Sequence, residues 1–439
     1  MRLSGRLAAA IEILADFEAR RVPLKTAIAD WARGARYAGA KDRAWISGLC
    51  LDVLRRRRSL AAFMGDASPR AAALGALRWA WEVTPDAIVE IAAEAPHGPG
   101  ALSDEELARL NAWPPPPLGA APHVAGDFPE WLTPMMTRAF GGKAAEEGAA
   151  LAARADVDLR LNTLKTSPEK ALSALRAVGG ESIPLLTTAA RIGAPDPSAR
   201  APAVTVIPAF NKGWVEVQDL GSQIAALAAG AVAGAQVLDF CAGGGGKTLA
   251  LAALMENTGQ LYAYDRDARR LKPLYDRARR AGVRNLQVKS PVGEETIEDL
   301  RGKMDLVFVD APCTGSGVWR RHPDMKWRLT PAQLALRMEE QDKVLADAAS
   351  FVRPGGRLVY VTCSVFLEEN EDRLGAFLDM HQEFAATRAL EAYERSPIVT
   401  EEGRLAIAAC ATPQGALRLS PARLRADGFF IATMERKDA

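Results

Sequence analysis

Between residues 236 and 364, short and almost uninterrupted apolar runs alternate with amphipathic helical stretches, and this rhythm leaves few folds open. The runs are QVLDF (236–240), QLYAYD (260–265), LQVKS (286–290), MDLVFVD (304–310) and RLVYVTCS (357–364), with helices expected over 247–257, 268–281, 331–350 and 368–380. A strand that is apolar on both faces must be covered on both faces, and intervening helices supply that cover while acting as crossovers of a parallel sheet. The expected class is therefore α/β and doubly wound, with ligands bound outside the carboxyl ends of the strands. Two later runs, GALRLSP (415–421) and GFFIATME (428–435), lie too close together for a crossover helix and read as an antiparallel pair finishing the sheet.

The rest of the chain divides into two further parts. Residues 1–112 are all-helical in pattern, with Leu7, Ile11 and Leu14, then Leu49, Val53 and Leu54, at helical spacing. Residues 1–70 carry 14 Lys/Arg against 7 Asp/Glu. Within them the run Arg55 to Arg58 is either a solvated face or a phosphate-binding surface. The stretch 113–128, with four prolines at 114–117, cannot hold a helix and reads as a linker. Residues 129–219 then read as a small α+β, RRM-like subdomain, with two helices broken at Gly141-Gly142 and a strand over 158–164. Ser167-Pro168 opens another helix, and the β-patterned runs TVIPAF and GWVEVQD follow.

Composition excludes several classes of function. With 55 basic and 54 acidic residues, the chain cannot hold a polyanion by bulk charge, so a nucleic-acid partner must meet local patches. Five cysteines without a C-x-x-C pair, and four scattered histidines, argue against a disulfide scaffold and a metal site. No run has the length and apolarity of a membrane span, and a reducing, cytoplasmic setting and a monomeric protein are expected.

The segment Cys241-Ala242-Gly243-Gly244-Gly245-Gly246-Lys247-Thr248 lies directly between a strand and a helix. Backbone N–H groups and the helix dipole favour an anionic group there. A nucleoside-triphosphate loop would need glycine where Cys241 stands. Asp265, at the end of the next strand, suits a ribose diol, so nicotinamide dinucleotides and S-adenosylmethionine are both candidates. Asp310-Ala-Pro-Cys313 follows one strand and Thr362-Cys363-Ser364 another, which brings two thiols and a carboxylate to the same sheet edge. A lone cysteine is usually a small buried hydrophobe, and Cys50, Cys241 and Cys410 are read that way. A nucleophilic thiol needs help to ionise, and a helix beginning near Glu368 would lend its dipole to Cys363. Spacing alone leaves open which thiol attacks.

These motifs resemble the RNA cytosine-C5 methyltransferases of the Fmu/Sun/NOP type, within them the branch that modifies 16S ribosomal RNA and carries a NusB-like N-terminal domain. The resemblance rests on RLNTLK (160–165), VQDLGSQ (217–223), LDFCAGGGGKT (238–248), DAPCTGSGVWRRHPDMKW (310–327), Gln341, RPGGRLVYVTCS (353–364) and DGFF (427–430). It implies a class I, Rossmann-like methyltransferase domain over 220–439, using S-adenosylmethionine. It further implies that Cys363 adds to C6 of the base, because C5 of cytosine is too electron-poor to attack a sulfonium unaided. Asp310 would bond the N3 and amino edge, Cys313 would assist release of the adduct, and Lys247 would lie near the base. Residues 241–247, Asp265 and Asp310 would border the cofactor. Two positions depart from the pattern: Gly243-Gly244 replaces the usual Ala-Pro, and the acidic residue expected after the third strand is missing, with Glu294 or Glu295 as substitutes. Arg160, Asn162 and Lys165 are RNA contacts by the resemblance. Arg320, Arg321, His322 and Lys326, interleaved with Trp319 and Trp327, are RNA contacts by their basic and aromatic character.

The leading expectation is thus 5-methylcytosine formation in 16S ribosomal RNA. Transfer RNA is the alternative substrate. An NAD-dependent oxidoreductase would share the glycine loop but has no use for two converging thiols, and a non-catalytic RNA-binding factor would not need Asp310, Cys313 and Cys363 intact.

Overall fold

The structure is a computed structural model that describes the chain except for residues 113–118, 195, 197, 199–203, 292–295 and 439. It falls into two compact units. One is built on Met1–Arg154 and takes in Val318–Leu329; the other is built on Ala155–Gly193, residues 204–317 and residues 330–438.

The first unit begins with helices α1 (Leu3–Arg20), α2 (Leu24–Gly34), α3 (Ala40–Arg55), α4 (Arg57–Met64), α5 (Pro69–Trp79), α6 (Pro85–Ala93) and α7 (Asp104–Asn111). Their apolar stripes meet in a core that includes Leu7, Ile13, Leu14, Phe17, Leu49 and Val53, the outcome expected of helices with one apolar face. Local signals set the helix starts. Ser68 and Thr84 cap helices whose first residue is proline, and Ser103 forms a reciprocal capping box with Glu106. Asp42 performs a similar task in α3, accepting from Gly39 N–H at 2.9 Å while pairing with Arg6 and the amino terminus.

The prolines 114–117 lie outside the described residues, and Pro122–Ala125, inside the expected linker, forms a helical turn. The helices Thr133–Phe140 and Ala144–Ala152, joined by a turn at Gly141–Lys143, belong to the helical unit. The second unit therefore starts at residue 155, not at the expected 129.

The second unit holds two sheets. The smaller is antiparallel, in the order β2-β3-β1-β4, from β1 (Val157–Leu161), β2 (Gly180–Ser182), β3 (Ala189–Ile192) and β4 (Val215–Val217). TVIPAF is not a strand: Pro208 opens the short helix Pro208–Asn211, because proline suits a first helical position and cannot donate to a ladder. The larger sheet contains β5 (Gln236–Asp239), β6 (Gln260–Tyr264), β7 (Leu286–Lys289), β8 (Met304–Asp310) and β9 (Val352–Thr362) in the parallel order β9-β8-β5-β6-β7. Beyond β9 come β10 (Phe384–Thr387), β11 (Leu417–Leu419) and β12 (Phe429–Arg436). β12 runs antiparallel to β9, β10 and β11, so the expected C-terminal pair is present. Buried runs such as Leu306 to Val309 and Leu358 to Val361 confirm that the central strands are covered on both faces. This is the doubly wound, class I architecture. Among the described residues no helix is long and apolar enough to cross a membrane.

Candidate active site

Parallel strands deliver their carboxyl ends to one edge, and there the chemistry-bearing residues collect. Asp239 ends β5, Asp265 follows β6, Asp310 ends β8 and Cys363 follows β9. The glycine loop turns from β5 into the helix Gly246–Leu254. Gly245, at φ 83°, is obligatory: a Cβ there would lie 2.2 Å from Leu274 Cδ1. The loop is held from both sides. Ala242 N–H donates to Tyr264 O at 2.9 Å and Gly243 N–H to Asp265 Oδ2 at 3.1 Å. Arg277 donates to Gly244 O and pairs with Glu216 of β4, so the small sheet braces the loop.

Asp239, which sequence reasoning passed over, is the most buried of the three aspartates at this edge. One oxygen accepts from Thr248 Oγ1–H at 2.6 Å, and Oδ1 has no partner among the described residues. Burial, and then the negative charges of Asp310 and Asp265, raise its pKa to about 7 against the opposing Thr248 hydrogen bond and Lys247 charge. Its position at the end of β5, before a helix that brings Thr248 back, was the available signal. Asp265 is also buried, accepting Asp267 N–H at 3.0 Å through Oδ1 and pairing with Arg270 at 3.1 Å through Oδ2. Cys241 stays a neutral thiol, because burial and then Asp265 push its pKa up.

Lys247 Nζ donates to Asp310 Oδ2 at 2.7 Å and lies 5.1 Å from the centre of the Phe429 ring. Burial works against its charge, but Asp310, then Cys363 and Asp239, outweigh it and hold the ammonium. The two sulfurs of Cys313 and Cys363 are 3.2 Å apart. Cys313 is pushed up, first by its hydrogen bond to Cys363 and then by burial, so it stays a neutral thiol. The expected helix dipole is not where the sequence placed it: a short turn at Leu367–Glu369 intervenes and the helix starts at Glu371. The ammonium of Lys247 is the positive charge acting near Cys363.

Several expected RNA contacts are corrected. Arg160 is buried in β1, donating to Gln218 Oε1 at 2.9 Å, and burial lowers its pKa to about 10. Asn162 is buried too: its amide donates to Gly213 O at 2.8 Å and Ala281 O at 2.9 Å. Lys326 is buried in the helical unit, donating to Arg55 O at 2.9 Å and to Asp127 O. Arg320 is buried as well, its carbonyl accepting from Arg55 Nη2 at 3.0 Å. Trp327 Nε1–H donates to Leu54 O at 2.6 Å. Trp319, Arg320, Lys326 and Trp327 therefore pack within the helical unit. Lys165 and His322 are exposed and Arg321 is half-buried. Arg55 itself is buried against Asp52, so the run at 55–58 is not a uniform solvated face. Glu294 and Glu295 lie outside the described residues. Among the described residues no cluster of three or more His, Cys, Asp and Glu is arranged to hold a metal.

Comparison with known proteins agrees with this geometry. Residues 227–435 match the family model of the 16S rRNA methyltransferase RsmB/F. The probable ribosomal RNA small subunit methyltransferase B of Synechocystis is 32% identical over 316 residues, covering 70% of this chain and 67% of that protein. The chain belongs to the RsmB/F family. Alignments with the curated relatives from Synechocystis, Photorhabdus laumondii and Bacillus subtilis span 58 to 67% of those proteins' own length. Among solved structures, PH0851 superposes with a TM-score of 0.69 at 25% identity over 99% of both chains. NSun6 from Pyrococcus horikoshii, solved with SFG, gives 0.59 at 21% identity over 71% of this chain and 99% of that one. The second likeness is one of fold. Within the RsmB/F match lie the paired cysteines and the Lys247–Asp310 pair.

Proposed function

We propose that this protein transfers a methyl group from S-adenosylmethionine to C5 of a cytidine in small-subunit ribosomal RNA, through a covalent bond between Cys363 and C6. The observation that carries this reading is the 3.2 Å approach of two thiols beside a lysine–aspartate pair on the rim of the glycine loop. The residues fit the cofactor: the buried Asp239 Oδ1 lacks a partner, and Asp239, Asp265 and Asp310 act on one another, which suits a ligand bearing cationic ammonium and sulfonium groups. When bound, S-adenosylmethionine supplies an electrophilic methyl group. Asp239, the loop amides and Asp265 would hold it.

The protein's own groups then divide the work. Cys363, beside the Lys247 ammonium, attacks C6 as thiolate and pushes electron density towards N3 and C5. Asp310 accepts the base's amino N–H, and Lys247 stabilises the negative charge that builds on the ring. After methyl transfer the C5 proton passes to water, its electron pair re-forms the C5–C6 double bond, and the Cys363–C6 bond breaks. Cys313, still a thiol, donates its S–H to the departing sulfur. This division gives each cysteine a role through its proton: one must lose it, the other must keep it.

The test is methyl transfer from labelled S-adenosylmethionine to unmethylated small-subunit ribosomal RNA, with bisulfite mapping of the product and transfer RNA in parallel. Label at C5 of one ribosomal cytidine is expected. Label confined to transfer RNA, or on another atom, overturns the proposal.

A further inference from the structure

Beneath the two thiols lies a carboxylate with no catalytic part in the scheme above. Glu369, in the turn after β9, is fully buried. Its Oε1 accepts from Thr314 N–H at 2.8 Å and from Gln341 Nε2–H at 3.0 Å. Its Oε2 accepts from Thr314 Oγ1–H at 2.5 Å and from Ser364 Oγ–H. Thr314 N–H and Gln341 can only donate, and the two hydroxyls can turn to do so, so the four bonds favour the ionised carboxylate against burial, which raises its pKa. Among the described residues no cation pairs with it. A buried, unpaired charge is costly, and four hydrogen bonds are the compensation available.

The donors are the immediate neighbours of the reacting sulfurs. Thr314 follows Cys313 and Ser364 follows Cys363. Gln341 also donates to Pro312 O at 2.9 Å, on the other side of Cys313. The Ser364 and Ser316 hydroxyls share a hydrogen bond of 3.0 Å, and Val365 N–H donates to Ser316 Oγ at 2.9 Å. One side chain thus fixes two loops from different strands.

We infer that Glu369 is a positioning residue that sets the separation of the two sulfurs and, by its buried negative charge, keeps Cys313 the hydrogen-bond donor in release of the RNA adduct. The inference rests on the proposed covalent mechanism for its catalytic consequence, but its effect on the thiols does not. The charge of Glu369 adds to the hydrogen bond and burial that raise Cys313. The other ionisable groups around this pair are Tyr360 on β9, whose hydroxyl donates to Glu369 O at 2.6 Å, and Lys247, which acts on Cys363. The Asp342–Arg373 ion pair joins the two helices packed beside β9.

Glu369→Gln separates charge from shape. Its amide oxygen can serve Thr314 N–H and Gln341, while its NH2 group faces two hydroxyls that can rotate to accept. Two readouts are needed. The first is the pH profile of Cys313 alkylation by iodoacetamide, followed by mass spectrometry without RNA. In the variant it should move to lower pH by about one unit, a tenfold rise in reactivity at fixed pH below both midpoints. The second is the fraction of protein trapped on RNA in denaturing gels, which should rise severalfold while adduct formation persists. Ser364→Ala, which removes one of the four donors, should shift both readouts in the same direction by less, and supplies the test should the glutamine variant not fold. Unchanged alkylation in the folded variants overturns the inference. A shifted alkylation profile together with wild-type protein that never forms an adduct overturns the covalent mechanism and leaves the positioning role standing.

Discussion

Asp239→Asn should stabilise the cofactor-free protein at alkaline pH while weakening its hold on the cofactor. The side chain is 1% exposed, with a single hydrogen bond from Thr248. Burial and the neighbouring carboxylates raise its pKa to about 7 from an ordinary 3.8. At ~1.36 kcal/mol per unit, ionising it in the folded protein costs roughly 4 kcal/mol more than in the unfolded chain. Below pH 3.8 both states are protonated and there is no penalty. Between 3.8 and 7 the unfolded chain gives up its proton first, so stability falls as pH rises through that window and is level above it. Asparagine keeps the shape and has no proton to lose. Thermal unfolding from pH 4.5 to 8.5 should therefore show the variant melting several degrees above the wild type at pH 8, the gap closing towards pH 5, at ~2–4 °C per kcal/mol. With S-adenosylhomocysteine the order should reverse, because the anion that is costly alone is the partner of the ligand's ammonium. Ligand stabilisation of the wild type should grow as pH rises through 7, and the variant should show little of it. A variant that melts lower than the wild type at pH 8, yet retains the full ligand shift, would refute both the cost and the pairing.

Three further substitutions probe the site and its surroundings. Cys363→Ala should abolish transfer and adduct formation, whereas Cys313→Ala should leave protein covalently bound to RNA on denaturing gels; an adduct from the first variant would exchange their roles. Lys326→Met removes a buried donor from the Arg55 and Asp127 carbonyls, so it should lower the melting temperature of the helical unit by an amount equivalent to about 1–3 kcal/mol. It should leave the salt dependence of RNA binding unchanged, where loss of a phosphate contact would reduce the slope by about one.

The sheet was legible because its signal is carried by covered strands: VLD, LVFVD and LVYVT can satisfy neither a half-exposed sheet nor a helical stripe. Parallel order then sent Asp265, Asp310 and Cys363 to one edge without any knowledge of contacts. Short strands were harder. β2 and β3 contain Gly180, Glu181, Ser182 and two alanines, residues without β-preference, and they exist because β1 offers a ladder to pair with. Asp239 and Glu369 were missed for a related reason. An acid in a sequence looks solvated until the fold buries it, and only tertiary hydrogen bonds from Thr248, or from Thr314, Gln341 and Ser364, reveal that it is held there.

The same ambiguity, with opposite charge, governs the cations. Trp319, Arg320, Arg321, His322, Lys326 and Trp327 have the composition of a loop that grips a polyanion, and composition cannot distinguish that from a segment that fills a protein interior. The deciding quantity is the supply of acceptors. A buried lysine leaves water only where carbonyl or carboxylate oxygens replace its hydration, and for Lys326 these are Arg55 O, where α3 ends, and Asp127 O, while the neighbouring Leu54 O takes the Trp327 indole N–H. A helix C-terminus has unpaired carbonyls by construction, so the end of α3 is prepared to receive donors from another segment. Arg160 follows the same logic less completely: Gln218 takes one of its N–H groups, Nη2 finds no partner among the described residues, and burial lowers its pKa to about 10. Of the original set, Lys165 and His322 remain exposed and Arg321 half-buried, so burial removes only Arg160, Asn162, Arg320 and Lys326 from reach of a polyanion.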